Sequence, residues 1–133
     1  MPQPADPRRM AATLVAGVIE GQMLPEVPLP PADPAARARA QRLALVALRN
    51  FARTQTVLGP MLRHEPQPAV MAALRVATVE MLELGEAPHG VINDTVEALK
   101  RERAIIAPSL GIFHSTFAGN FWKIVRCARF RWI

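Results

Sequence analysis

Cysteine is almost missing from this chain: Cys127 is the only one in 133 residues. One thiol cannot staple a domain or build a zinc site, and a reducing cytoplasm is the simplest setting for such a sequence. Long hydrophobic runs are missing too. Half of the residues are apolar, yet Arg, Glu or Pro interrupts every stretch well before the roughly 18 residues that a membrane helix needs. No membrane partner is therefore expected. The N-terminus carries Pro2, Pro4, Asp6 and Pro7 and lacks the charged-then-apolar pattern of a secretory leader. Motifs that carry chemistry are equally scarce. There is no glycine-rich loop of the dinucleotide or P-loop kind, and His64, His89 and His114 share no metal-ligand spacing. Cys127 has no histidine near it in sequence and reads as a buried, inert thiol. No cofactor, no metal and no catalytic residues are expected, so the chain should not be an enzyme by itself.

What is present is arginine, unevenly placed. Residues 1–64 hold eight Arg against four acids, residues 65–103 four bases against seven acids, and residues 104–133 four bases and no acid. Basic ends thus flank an acidic middle. Arg outnumbers Lys 14 to 2. The planar guanidinium fork suits phosphate, which is compatible with a nucleic-acid partner. A GC-rich coding sequence would give the same bias, and that alternative stays open.

The pattern is helical throughout, with no useful run of alternating apolar residues. A length of 133 residues suits one domain, taken as residues 1–133 with a core over about 7–127 and a basic tail at 128–133. Asp6-Pro7 is an N-cap followed by Pro at the first helical position, so a helix should run to about Glu20 and end near Gly21. Residues 24–34 hold Pro25, Pro28, Pro30 and Pro31 and are expected to form an extended connector, pinned through Leu24, Val27 and Leu29. Asp33-Pro34 repeats the cap signal and should open a long helix, about Ala35 to Arg53. At 100° per residue Ala36, Ala40, Leu43, Ala44, Ala47, Leu48 and Phe51 share one face. Arg39, Arg42, Arg49 and Arg53 share an arc of about 80° on the other. Thr54 should cap a short helix to about Arg63, irregular at Gly59-Pro60. Further helices are expected over about Pro68–Leu84, with one apolar stripe (Val70, Leu74, Ala77, Met81, Leu84), and His89–Arg103, with Ile92, Thr95, Val96 and Leu99 inward. A last one should start near Ser109 or Ser115 and reach Cys127, closing the core with Phe113, Phe117 and Phe121.

The arginine stripe has no interleaved acid one turn away. It is either an ordinary solvated face or a surface for phosphate, unless Glu80, Glu83 and Glu86 fold over it. His89, next to Pro88 at a helix start, reads as structural, able to satisfy free backbone N–H groups or pack on the turn.

The segment Pro88 to Arg101 carries a family resemblance through Pro88, His89, Ile92, Asn93, Asp94, Val96 and Lys100. It resembles the Pro-His turn and following helix of NusB-like domains. Arg8, Ala11, Val15 and Val18 are similar to the family's first helix. Leu43 to Arg49 with Thr54 and Leu58 resemble its second long helix and the short one after it, and Val70 to Leu84 the helix before the turn. His89 favours one branch, the N-terminal domain of ribosomal RNA cytosine-C5 methyltransferases of the RsmB/Sun type. The last helix departs from the family at Trp122, where an Asn is usual.

The resemblance spans roughly residues 8–126. It implies an all-α bundle of about six to seven helices in two small subdomains. It also implies an RNA-binding module that presents ribosomal RNA to a methyltransferase domain not contained in these residues. Arg8, Arg9, Arg39, Arg42, Arg49 and Arg53 are the expected RNA contacts. The rivals are a free-standing antitermination or ribosome-biogenesis factor that pairs with a ribosomal protein, and a protein-interaction or dimerisation module that does not touch RNA.

Overall fold

The expected Asp-Pro starts are where the first two helices begin. In a computed structural model, which describes residues 6–62 and 66–106 (100–106 as backbone only), Asp6 Oδ1 accepts from the Arg8 N–H at 3.0 Å. Asp33 Oδ1 accepts from the Ala36 N–H at 2.6 Å. Each cap satisfies a backbone donor that the first helical turn leaves open. The elements are α1 (Pro7–Ile19), a 3-10 turn (Leu24–Glu26), α2 (Pro34–Arg49), α3 (Phe51–Leu58), a second 3-10 turn (Gly59–Met61), α4 (Pro68–Leu82) and α5 (Pro88–Ile106). No strand occurs among the described residues, and the all-α class is as expected. The expected last helix, with Phe113, Phe117, Phe121, Trp122 and Cys127, and the basic tail lie outside the described residues.

The chain divides into two compact units, Met1–Val79 and Glu80–Ile133. In the first, α1 packs against α2. Met10, Ala11, Leu14 and Val15 are buried on α1, and Ala40, Leu43, Ala44 and Ala47 on α2. The α2 set follows the i, i+3, i+4, i+7 stripe and the α1 set runs i, i+1, i+4, i+5, each one face of a half-buried helix, and the alanines let the backbones approach. The end of α1 closes as a Schellman motif. Gly21 stands at φ +97°, its N–H donates to Val18 O and the Gln22 N–H donates to Gly17 O.

Past Gly21 the connector is less extended than expected. Residues 24–26 form a 3-10 turn because Pro25 sits where no donor is required. The Glu26 N–H donates to Met23 O at 2.9 Å, and the Met23 N–H donates to Glu26 Oε2 at 3.3 Å. The connector is pinned through buried Val27, with Leu24 and Leu29 half-buried. A Cβ on Gly17 would lie 2.6 Å from Val27 Cγ2, so only glycine allows this approach.

The expected long helix from Ala35 to Arg53 is instead two helices. Asn50 takes φ −103° and ψ 26°, outside the helical well. Its side-chain amide and its backbone N–H both donate to Val46 O, the local competition that disfavours Asn inside helices. Two expectations change with this break. Phe51 is 39% exposed rather than in the core. Thr54 lies buried inside α3 rather than capping it. Helix α4 also departs from the single apolar stripe. Met71, Ala72 and all of Leu74 to Met81 are buried, so the helix is covered on every side.

In the second unit, Gly85 at φ +66° turns the chain after α4, and Pro88 opens α5 at the first helical position. Val91, Ile92 and Thr95 are buried, while Val96 and Leu99 are half-buried.

Candidate nucleic-acid interface

Helix α2 separates its two chemistries by period alone. Its alanine and leucine stripe is buried, and Arg37, Arg39, Arg42 and Arg49 are exposed. Arg39, Arg42 and Arg49 keep the expected arc on the side away from the core. From Arg39 to Arg49 the helix rises about 15 Å, so the three guanidinium groups form a row and not a point. Neither α2 nor α3 contains a single Asp or Glu, against Arg37, Arg39, Arg42, Arg49 and Arg53. No ion pair within the described residues holds Arg39, Arg42 or Arg49. Of the acids that could have covered the row, Glu80 is fully buried, while Glu83 and Glu86 are exposed.

The other expected contacts are placed differently. Arg53 is exposed, but it stands on α3, beyond the Asn50 break, and does not continue the α2 arc. Arg8 and Arg9 lie in the first turn of α1, half-buried and exposed respectively, and both make a contact with the protein. His89 is exposed in the first turn of α5 and has an interaction of its own.

One residue that the sequence did not single out organises this region. Arg75, on α4, is only 4% exposed. Its Nη1 donates to Phe51 O at 3.0 Å and to Thr54 Oγ1 at 2.7 Å, and its Nη2 donates to Gln55 Oε1 at 2.6 Å. The guanidinium carbon lies 3.8 Å from the centroid of the Phe51 ring, a cation–π contact. Thr54 Oγ1 itself donates to Phe51 O at 2.9 Å. A buried charge is costly unless it is hydrogen-bonded; here Nη1 and Nη2 are spent on the start of α3, while the buried Nε has no hydrogen-bond partner. The available signal was weak: a lone Arg in an apolar helix, which reads as a surface position unless a partner is known.

Among the described residues no group of His, Cys, Asp and Glu could hold a metal ion. No helix among them is long and apolar enough to cross a membrane.

The model of the NusB family matches residues 5–110. Comparison with curated proteins and with solved structures gives no match. The family match spans α1 to α5 and agrees with a chain whose regular elements, among the described residues, are all helical: the chain belongs to the NusB family.

Proposed function

We propose that the protein is an RNA-binding module whose contact surface is the arginine face of α2, Arg39, Arg42 and Arg49. Arg53 on α3 and Arg8 and Arg9 at the start of α1 extend it. The family suggests an RNA-binding or antitermination type of role, and a NusB domain is not catalytic alone. The observation that carries the reading is the acid-free run of α2 and α3, with its arginines turned away from the buried alanine stripe.

Such a surface binds phosphates, so affinity should fall steeply with salt. Each phosphate neutralised on a single strand adds about 0.7 to the slope of log affinity against log salt, so four contacts give a slope of about 3. Changing Arg42 and Arg49 together to Gln should lower that slope by about 1–1.5. It should weaken binding to many sequences alike, because phosphate contacts position rather than specify. Unchanged affinity and slope in the double variant would sink the assignment and favour a protein-interaction module.

Within this reading, the Pro88-His89 turn supports an N-terminal ribosomal-RNA-binding part of a cytosine-C5 methyltransferase acting in the cytoplasm. Its partners would then be ribosomal RNA and a methyltransferase domain. Family membership equally supports a free-standing antitermination factor that pairs with a ribosomal protein. A coding sequence that runs on past Ile133 into an S-adenosylmethionine-binding domain decides for the former.

A further inference from the structure

Phe51 is the only aromatic residue among the described residues, and it is mounted on the surface instead of being buried. A single exposed phenylalanine requires no explanation by itself. This one is unusual in how it is held. The buried guanidinium of Arg75 lies against one side of the ring, 3.8 Å from its centroid, and grips the carbonyl of the same residue. Ring and backbone are therefore fixed from beneath by one group, which is itself fixed by Thr54 and Gln55. Even with Arg75 against it, Phe51 as a residue stays 39% exposed. A cation on one side draws the ring's π-density toward itself, which leaves the other side better suited to an electron-rich partner.

Position supplies the second half of the argument. Arg49 and Arg53, both exposed, lie two residues to either side of Phe51, no more than about 7 Å of chain away. No acid occurs anywhere on α2 or α3. We propose that the Phe51 ring is a stacking platform for an unpaired base of single-stranded RNA, whose neighbouring phosphates fall to Arg49 and Arg53. The proposal rests on the RNA-binding reading above and deepens it. An exposed aromatic ring with cations close by in the chain is the combination that single-strand binders use, because every base offers a π-face and every nucleotide a phosphate. An apolar protein partner would use the ring equally well, but it would bring no anion to Arg49, as RNA does next to each base.

The test uses the full chain, a 12-nucleotide oligoadenylate and linear inorganic polyphosphate. Polyphosphate offers the charge without the bases. Phe51→Leu should weaken oligoadenylate binding about 5- to 100-fold, the range for losing one base–aromatic stack. It should leave polyphosphate binding and the salt slope as they were. Phe51→Tyr should bind like the parent. A second readout does not depend on any variant folding: the Phe51 ring protons of the parent should move upfield with oligoadenylate and stay in place with polyphosphate. If Phe51→Leu folds and binds oligoadenylate like the parent, or if the ring protons do not respond, the platform is wrong and the arginine reading survives. Loss of self-association in Phe51→Leu with RNA affinity unchanged would likewise overturn it, in favour of a protein-facing ring. A parent that binds oligoadenylate no better at low salt than at high salt would remove the RNA reading and the platform with it.

Discussion

Arg75 shows what a charged residue can do once it is taken out of water. Its forked donors reach three acceptors on α3 at once, two on side chains and one on the backbone. A lysine offers a point charge that cannot span them. Replacing Arg75 by Leu should therefore lower stability by about 2–4 kcal/mol, since hydrogen bonds to a charged group are lost and the buried Thr54 hydroxyl loses its donor. Arg75→Lys should recover less than half of that loss. Urea unfolding checks both: the midpoint should fall while the slope with denaturant stays constant. A loss below about 1 kcal/mol for Arg75→Leu would show that the fork is incidental to stability. None of this was legible in the sequence. Arg75, Thr78 and Glu80 are polar letters in an apolar helix, and the ordinary expectation sends such residues to the surface. All three are buried: Arg75 finds its acceptors on α3, far away in the chain, while Thr78 donates back to Leu74 O within its own helix.

At the scale of elements, the residues that dictate local backbone were the legible ones. Asp6-Pro7 and Asp33-Pro34 each combine a side-chain acceptor with a fixed φ, and both start helices where they should. Gly21, expected as a helix end, adopts positive φ, and so does Gly85 after α4. The division between α2 and α3 was not legible, because Asn50 alone is a weak breaker, and Arg75, which donates to the first carbonyl beyond it, stands 24 residues after Phe51 in the chain. That single misreading moved Phe51 from surface to core and placed Arg53 on the α2 arc. Two glycines test how far local and packing demands can oppose each other within a helix. Gly17 in α1 faces Val27, whose stiff branched side chain cannot swing away from a new Cβ. Gly17→Ala should cost about 1–3 kcal/mol by overpacking, more than the helix gains from alanine. Gly90 in the first turn of α5 has open space around it. Gly90→Ala should stabilise by about 0.4–1 kcal/mol through the lower entropy of the unfolded chain. Thermal melts of the two variants should move in opposite directions, and a stabilised Gly17→Ala would show that the connector is free to lift off α1.

For the whole molecule, the question is whether its charge matters as composition or as arrangement. The net charge of +5 is present in the unfolded chain too, and an unfolded basic chain also attracts RNA. Only the folded chain aligns Arg39, Arg42 and Arg49 along α2 and presents them away from the buried stripe. If arrangement matters, RNA binds the native state more tightly and must stabilise it. A ligand at 100 times its dissociation constant contributes about 2.7 kcal/mol when it ignores the unfolded state. Oligoadenylate at that level, in low salt, should therefore raise the melting temperature by several degrees. The rise should vanish in about 0.5 M salt, where phosphate contacts are weakened. The Arg42→Gln, Arg49→Gln double variant should melt like the parent without RNA, because both side chains lie opposite the core, and should lose most of the RNA-induced rise. The sign of the shift is the decisive reading. A melting temperature that RNA leaves unchanged at saturation means that the polyanion binds folded and unfolded chains equally. The arginine face would then be no more than a record of composition. A rise that survives in the double variant would move the interface off α2 and onto the remaining basic segments.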